Sequence, residues 1–527
     1  MAEFVILDQL TSDSPAARVF LPLFLPLLLL ILLLRYFRSS TAGAASSLPP
    51  SPPSLPLVGH AHLVGALPHV SLRNLAARHG GEDGLMMLRL GTVPTLVVSS
   101  PGGAQLVLRS HDQSFASRPW SVSGEVLTYG PSDVALAPYG ERWRQAKKLV
   151  TTHLLSTKKV QSYRAAREEE VALVIDRVRC AAVTGAVVDM SELLTKFMND
   201  MVCRAVAGRS FRVEGREKVI RQLIDVGVVL LGGLNLENFY PGLAKVAGGV
   251  LVSSTRRKAK NIRERWDELL DKLIDEHLKE GGSGGDGDGN EESDFIHVLL
   301  SAQEEYGLTR DNIKAILIDM LAAGTDNKYL VLEFAMAELM LHQDVMAKLQ
   351  HEVRSIKHQG EHTINEDSLA GMKYLRAVVK ETLRLHPPSP LLLPHLSVED
   401  CDVGSYRIPA GTTVLVNAWA IGRDPRLWDA AEEFMPERFI HEGGDNEEVD
   451  FIGNDLQFLP FGSGRRMCPG INFSLASIEV MLANLVYHFD WELPGGVYNI
   501  DMTEVFGLTV RRKEKLLLTP RPTSFTQ

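Results

Sequence analysis

The chain has 527 residues, of which 45% are hydrophobic and 23% are charged, and its formal net charge is −10. This is the composition of a folded globular protein, and the acidic balance argues against a general nucleic-acid binder. The four cysteines are widely separated, so their spacing predicts neither a zinc site nor a disulfide framework and favours a reducing compartment.

The N-terminus contains a strongly apolar run at residues 19–34. As a helix it would span about 24 Å, close to the thickness of the endoplasmic reticulum bilayer. A cleaved signal peptide would begin with a basic segment, whereas three acidic side chains and one arginine precede this run. We therefore predict an uncleaved single-pass anchor at residues 1–38, with a cleaved signal peptide as the alternative. Arg35 and Arg38 follow the run and predict that the rest of the chain is cytosolic.

Residues 39–60 are predicted to be a linker that ends in the proline-rich stretch LPPSPPSLPLVGH. Repeated prolines fix φ and favour a semi-rigid, extended spacer between the membrane and the body of the protein. Residues 61–520 are predicted to form one catalytic domain, and residues 521–527 a tail. One large domain is possible at this length.

The catalytic domain is predicted to be mainly α with a small β part. Two apolar, β-branched runs predict hairpins at residues 85–99 and 406–417, the second turning at Pro409-Ala410-Gly411. Residues 280–294 are acidic, glycine-rich and of low complexity, which predicts a mobile surface loop. Apolar periodicity predicts long helices at residues 164–179, 257–279, 311–341, 372–385 and 471–487.

The most informative stretch is FLPFGSGRRMCPGINF, directly before the last of these helices. Phe461, Gly464, Arg466, Cys468 and Gly470 give the pattern F-x-x-G-x-R-x-C-x-G. Five such matches in ten positions arise by chance in roughly one chain in ten thousand of this length. A helix N-terminus and the nearby Arg466 would lower the pKa of the Cys468 thiol and favour a metal-binding thiolate. A small buried cysteine in a tight turn is the alternative, and a phosphate-binding loop would need a Lys-Ser/Thr ending that is lacking.

This loop resembles that of the cytochrome P-450 superfamily, and further motifs of that family follow the expected order. Glu381 and Arg384 in KETLRLHPP match its E-x-x-R motif, and Arg438 in FMPERF matches the partner of that motif. The resemblance implies a triangular helical prism with a long central oxygen-binding helix. It also implies haem b bound through the Cys468 thiolate, above a buried structural network of the glutamate and the two arginines.

The resemblance assigns further residues to the haem. Trp143 and Lys147 match the family's W-x-x-x-R, whose members contact the haem propionates, although lysine lacks the planar fork of arginine. Arg466 and His395 occupy the other positions expected near the propionates, and Phe461 belongs to the ligand loop. The alternative for His395 is an ordinary surface histidine.

The predicted central helix contains the family's oxygen-binding segment through Ala323, Gly324 and Asp326. A glycine inside a helix costs up to about 1 kcal/mol, so it suggests a close approach by a ligand or a kink. Asn327 stands where the family usually has a proton-relaying threonine, and an amide is a poor relay. We expect Asn327 to position a water while Asp326 connects to solvent. Lys328 lies about 100° further round the helix and is expected to face away from the haem.

The function that the resemblance implies is an NADPH- and O2-dependent monooxygenase supplied with electrons by NADPH-cytochrome reductase. The basic cluster Arg142, Arg144, Lys147 and Lys148 is the expected docking edge for that partner, and part of it would instead neutralise propionates. Two alternatives remain open: a haem-thiolate isomerase or lyase that does not use oxygen, and a non-catalytic haem carrier.

Several long stretches resemble the grass monooxygenases of benzoxazinoid biosynthesis, and they predict a small apolar aromatic substrate of the indole or indolin-2-one type. These stretches are residues 306–320, 383–395, 471–494 and 501–518. Another specialised metabolite, such as a flavonoid or a terpenoid, is the alternative. By family position the substrate pocket would involve residues 120–136, 391–393 and 506–508, among them Leu391, Leu393 and Phe506, although ordinary core packing explains each of these segments equally well.

Overall fold

The structure is a computed structural model that describes residues 48–523, apart from residues 82, 131, 213, 233–235, 247–252, 283–293, 357–362, 441–448 and 452. The predicted anchor, the first part of the linker, most of the acidic loop and the last four residues of the tail lie outside the described residues. Within the described part of the chain, no helix is long and apolar enough to cross a membrane.

Helices make up most of the described chain. In order they are α1 Pro68–His79, α2 Pro101–Gln105, α3 Val122–Leu127, α4 Glu141–His153, α5 Thr157–Ser162, α6 Arg164–Thr184, α7 Met190–Ala207, α8 Arg216–Gly232, α9 Leu236–Phe239, α10 Pro241–Val246, α11 Ser253–Gly282, α12 Phe295–Ser301, α13 Gln303–Tyr306, α14 Arg310–Leu341, α15 Gln343–Arg354, α16 Lys373–Leu385, α17 Ala418–Ile421 and α18 Ile471–His488. The five predicted helices are confirmed as α6, α11, α14, α16 and α18, with small differences at their ends.

The β part consists of small sheets. Its strands are β1 Leu85–Leu90, β2 Val93–Val98, β3 Val188–Asp189, β4 His395–Leu396, β5 Cys401–Val403, β6 Tyr406–Ile408, β7 Thr413–Val416, β8 Phe489–Glu492, β9 Glu504–Phe506, β10 Val510–Arg512 and β11 Leu517–Pro522. They pair in the orders β1-β2-β7-β4, β3-β11-β8, β10-β9 and β5-β6. The first predicted hairpin is confirmed, because β1 and β2 are antiparallel with Leu85 opposite Val98.

The second predicted hairpin is wrong. β6 pairs with β5, whereas β7 pairs in parallel with β2, which places Val416 opposite Val98. The turn at Pro409-Ala410-Gly411 therefore leads from one sheet into another. The reason is burial: Val414 and Val416 are fully buried in β7, and packing between strands outweighs a local turn signal.

The described part of the predicted linker packs on the body of the protein. The N–H of Met87 donates to the carbonyl oxygen of Pro50 at 2.8 Å, and the N–H of His60 donates to that of Arg89 at 2.7 Å. Both acceptor–donor pairs join the proline-rich stretch to β1. Residues 48–60 are thus held against the sheet.

The long helix α14 is central to the fold. It begins at a capping box in which Thr309 and Asn312 each accept a hydrogen bond from the main chain of the other. Farther along, α7 approaches so closely that a Cβ on Gly324 would lie 2.9 Å from a methyl carbon of Val202. The sequence predicted a close approach by a ligand or a kink at this glycine, whereas the close approach found here is that of a neighbouring helix.

At one residue of the loop before α18, the backbone adopts a conformation and a close contact that require glycine. Gly464 has a φ of +69°, and a Cβ there would lie 1.9 Å from the carbonyl oxygen of Leu108. The N–H of Cys468 donates to the carbonyl oxygen of Phe461 at 3.0 Å, which closes the loop. Cys468 is thereby fixed just ahead of Ile471, the first residue of α18.

Replacing Gly464 by alanine is expected to lower the midpoint of thermal unfolding by several degrees more than the matched change Gly496→Ala. Gly496 has a φ of +85° but nothing within 4 Å of the added carbon. Both variants place alanine in a left-handed conformation, at about 1–2 kcal/mol, but only Gly464→Ala also displaces the loop from Leu108. Circular dichroism during heating measures both, and equal midpoints would contradict the argument.

Candidate active site

A cavity of about 330 Å³ lies between the middle of α14 and the loop before α18. It brings together residues from segments that are distant in the sequence. Of the residues predicted from the sequence, the wall contains Trp143, Lys147, Ala323, Gly324, Asp326, Asn327, Leu393, His395, Phe461, Arg466 and Cys468. Most of the remaining wall is apolar, so the cavity suits an apolar ligand with a few polar groups.

Two of the predicted pocket residues do not line this cavity. Leu391 is buried in a small separate core cluster, and Phe506 packs against the same cluster. Their neighbours Leu392, Leu393 and Leu508 line the cavity instead. The predicted segments are therefore at the cavity, but composition alone does not tell which of their side chains face the ligand and which pack in the neighbouring core.

Cys468 presents a free thiol to the cavity. Burial raises the pKa of this thiol, while the N–H of Gly470, which donates to the sulfur at 3.4 Å, and the cations Lys328 and Lys147 act in the opposite direction. Arg466 was the cation expected to favour the thiolate, and it is not among the groups that act on the sulfur. A metal ion at the sulfur would stabilise the thiolate directly.

One side of the cavity is lined by three buried or half-buried cations, Arg118, Lys147 and Arg466. Among the described residues, none of the three forms a direct ion pair with a carboxylate, although the charge of the buried Asp133 acts on Arg118 and Arg466 from a greater distance. Each donates instead to main-chain carbonyl oxygens at 2.5–2.8 Å, Arg118 to Leu393 and Pro394, Lys147 to Arg465, and Arg466 to Ala137. Burial, together with the charge of Arg466, lowers the pKa of Lys147 to about 8 and that of Arg118 to about 9, and Asp133 opposes the shift of Arg118. Cations held in this way form a site for an anion.

Trp143 and His395 support this cationic group. The guanidinium of Arg466 lies 4.1 Å from the centre of the Trp143 ring, in cation–π geometry. His395 is 5% exposed, so the surface alternative for it is wrong. Its Nδ1 donates to the carbonyl oxygen of Phe115 at 2.8 Å, and burial together with Arg118 and Arg466 lowers its pKa to about 3. The imidazole is therefore neutral and presents its other nitrogen without adding charge.

The acidic and amide side chains of α14 differ in their bonding. Asp326 is buried and accepts a hydrogen bond from the Thr509 hydroxyl at 2.6 Å. We expected Asp326 to connect to solvent, but its side chain does not reach the solvent itself. Burial raises the pKa of Asp326 to about 6, although the Thr509 bond opposes the rise. The Oδ1 atom of Asn327 is buried and has no hydrogen-bond partner among the described residues. Such an acceptor in a cavity wall is a place for a water molecule or a ligand donor.

Lys328 does not face away from the site, and that expectation is wrong. Its side chain is 5% exposed and lines the same cavity as Cys468. The ammonium nitrogen lies 3.9 Å from the centre of the Phe473 ring, and burial lowers the pKa of Lys328 to about 7. The rotation of about 100° does not carry the residue to the surface because α18 packs on this side of α14, and the lysine meets Phe473 there.

The structure brings Glu381, Arg384 and Arg438 together in the interior. Arg384 Nε donates to one carboxylate oxygen of Glu381 at 2.7 Å, and Arg438 Nε donates to the other at 3.1 Å. Arg384 also donates to the main-chain oxygens of Gly422 and Ala431 at 2.6 and 2.7 Å. The network ties α16 to the chain segments that precede the cysteine loop.

Sequence reasoning missed Arg118, Asp319 and Thr509 at this site. Asp319 accepts hydrogen bonds from the N–H groups of Val134 and Ala135 at 2.7 and 2.9 Å, and it thereby holds the cavity wall to α14. Its signal was a carboxylate within an apolar stretch of the predicted long helix. Arg118 and Thr509 lie in short segments without a motif, and they offered no signal.

The Glu381→Ala variant should lose about 3–5 kcal/mol of unfolding free energy, because it leaves two buried guanidinium groups without their counter-charge. The matched control is Glu141→Ala, which removes a carboxylate paired with Arg144 at an exposed position, where the loss should be below about 1 kcal/mol. Urea denaturation of both variants checks this prediction. Similar losses in the two variants would mean that the buried network is not needed for stability.

Comparisons with known proteins agree with this geometry. Residues 49–519 match the family model described as cytochrome P-450. An indolin-2-one monooxygenase from Zea mays is 54% identical over 90% of this chain and 89% of that protein. An indole-2-monooxygenase from Zea mays is 52% identical over 98% of each chain. A solved structure of a zebra fish cytochrome P-450 with abiraterone is similar at a TM-score of 0.71 and 26% identity, covering 87% of this chain and 100% of that one.

Proposed function

The chain belongs to the cytochrome P-450 family, and on that premise we propose that it hydroxylates a small aromatic plant metabolite of the indole or indolin-2-one type, using O2 and NADPH. The predicted class, a haem-thiolate monooxygenase, is confirmed by the family and by the monooxygenases among its relatives. One observation supports the chemistry most directly: the Cys468 thiol and the oxygen-binding segment of α14 line the same largely apolar cavity.

The residues at the cavity fit haem b. Cys468 would provide the thiolate ligand, and Arg118, Lys147 and Arg466, which bond to main-chain carbonyl oxygens, would neutralise the two propionates. Trp143, His395 and Phe461 would flank the group. When bound, haem with a thiolate ligand supplies the activation of oxygen, because electron density from the sulfur promotes cleavage of the O–O bond.

The chain's own residues would place the substrate. The wall opposite the cysteine loop is apolar and includes Leu127, Val206, Leu223, Ile224 and Leu508. Such a surface binds a flat aromatic molecule by excluding water, with no charged group required. Asn327 Oδ1 is an acceptor without a partner among the described atoms, and it can receive the N–H of an indole ring or of a bound water.

Proton delivery would use the polar groups on and beside α14. The Thr509 hydroxyl donates to Asp326, whose pKa of about 6 allows this carboxyl group to take up and release a proton near neutral pH. Asn327 would hold a water between this pair and the substrate. An amide can orient that water but does not pass on a proton itself, so delivery would be less efficient than with the threonine usual in the family.

The Asn327→Thr variant is expected to form more product for each NADPH oxidised, because a hydroxyl can donate and accept a proton at the same position. Asn327→Ala is the matched comparison, since it removes the amide without adding a hydroxyl, and it should lower this ratio. Consumption of NADPH and formation of product are measured in the same reaction. Unchanged coupling in Asn327→Thr would count against a relay role for this position.

Electrons would come from NADPH-cytochrome reductase. Arg142, Arg144 and Lys148 are exposed on α4 and form a basic edge for an acidic partner, whereas Lys147 is directed to the cavity. The proposal also includes the endoplasmic reticulum membrane as the location, with residues 1–38 as the anchor and the catalytic domain in the cytosol.

The proposal is tested by a carbon monoxide difference spectrum of the expressed protein, followed by turnover with reductase and NADPH on a panel of indole, indolin-2-one, a flavonoid and a terpenoid. We expect a thiolate-ligated haem spectrum and a hydroxylated indole or indolin-2-one. Cys468→Ala should abolish both, whereas Cys180→Ala, which removes an exposed cysteine, should change neither. Product from the flavonoid or terpenoid alone would overturn the substrate class, and turnover without NADPH would favour the isomerase or lyase.

A further inference from the structure

Three side chains with metal-binding chemistry meet outside the catalytic cavity. His277 lies on α11, Asp294 caps the N-terminus of α12, and His297 is in the first turn of α12. One ligand atom from each lies within 4.8 Å of the other two. None of the three lines the cavity that contains Cys468.

The distances suit a tetrahedral metal site. Asp294 Oδ2 lies 3.2 Å from His277 Nε2 and 3.0 Å from His297 Nδ1. Ligands bound to zinc at about 2.0–2.1 Å lie roughly 3.3 Å from one another at the corners of a tetrahedron. The other carboxylate oxygen, Oδ1, accepts the main-chain N–H of His297 at 2.9 Å, which fixes the orientation of the carboxylate.

The protonation of His277 points to a cation at this place. Its Nδ1 lies 2.7 Å from the carbonyl oxygen of Leu273, and since a carbonyl only accepts, Nδ1 carries the proton. In a neutral ring Nε2 then presents a lone pair to the carboxylate of Asp294. Two lone pairs at this separation repel each other unless a proton or a metal ion lies between them. His277 is 2% exposed, so a doubly protonated, charged ring would be held at a desolvation cost.

The surrounding bonds are those of a metal-binding histidine. A ring nitrogen that donates to a main-chain carbonyl fixes the tautomer and directs the other nitrogen at a metal. Two imidazole nitrogens and one carboxylate oxygen favour zinc over magnesium or calcium, which prefer oxygen ligands.

We propose that His277 Nε2, His297 Nδ1 and Asp294 Oδ2 bind a zinc ion that joins α11 to α12, with a fourth ligand completing the tetrahedron. The two helices are connected in the sequence through the glycine-rich residues 283–293. A metal that binds only the folded arrangement stabilises it in proportion to the logarithm of its concentration. The proposal does not depend on the function assigned to the catalytic cavity.

Zinc chloride is titrated by calorimetry into the full-length, haem-loaded protein after removal of metals with EDTA. Asp294→Asn preserves the helix cap and the side-chain size, and His297→Ala removes a half-buried ligand. His351→Ala, which changes an exposed histidine of α15, is the control. We expect the parent protein and the control to bind one equivalent of zinc that the other two variants bind at least tenfold more weakly. Magnesium should not bind at this site.

Thermal unfolding and X-ray spectroscopy of the parent protein test zinc binding at this site even if a variant folds poorly. Zinc should raise the unfolding midpoint of the parent protein and of His351→Ala, and it should not raise that of Asp294→Asn. Zinc-edge X-ray absorption of the parent complex should show nitrogen and oxygen ligands with the scattering pattern of imidazole. Zinc affinity that is equal in all variants, or a parent midpoint that does not respond to zinc, would overturn the proposal and leave a hydrogen-bonded His-Asp-His cluster.

Discussion

Buried positive charge is the constraint on which the catalytic cavity depends. Arg118, Lys147 and Arg466 are held inside the protein by main-chain carbonyl oxygens. Moving an ion out of water costs several kcal/mol even after the protein relaxes, and carbonyl dipoles recover only part of that cost. The fold therefore favours a negatively charged occupant at this end of the cavity. The propionates of haem meet that requirement, so the cofactor would serve as a counter-ion as well as the reactive group.

A second group of buried cations, at Glu381, is arranged differently from the cations of the cavity. At Glu381 a carboxylate of the chain itself accepts hydrogen bonds from both Arg384 and Arg438, and Arg384 bonds in addition to two main-chain oxygens. That network is complete without a ligand and gives α16 a fixed position. Arg384 and Arg438 thus contribute to a rigid framework, whereas the cations of the cavity would gain their counter-charge from the bound cofactor. Gly464 contributes in a third way, because it lets the cysteine loop approach Leu108 closely and so fixes the position of the loop.

Much of the fold and of the site could be predicted from the sequence, because the signals were contiguous. The predictions of the loop from Phe461 to Gly470 and of the long apolar helices depend on local residue spacing, which can be read from the sequence without knowledge of the tertiary structure. Contacts between distant segments could not be predicted in the same way. Arg118 has no motif, and the partner of β7 is decided by burial against β2. For Lys328 the helix period was applied correctly, but it assumed that the far side of α14 meets solvent, where Phe473 lies instead.

The contact between Lys328 and Phe473 has a consequence for how the role of this lysine can be tested by substitution. The ammonium group and its four-carbon stem fill space between α14 and α18, with the ring of Phe473 as the opposing surface. Exchanging the lysine alone would remove a charge and open a void in the same step. The two positions are therefore energetically coupled, and only paired exchanges, analysed as a double-mutant cycle, separate the chemical contribution of the amine from the volume that it occupies.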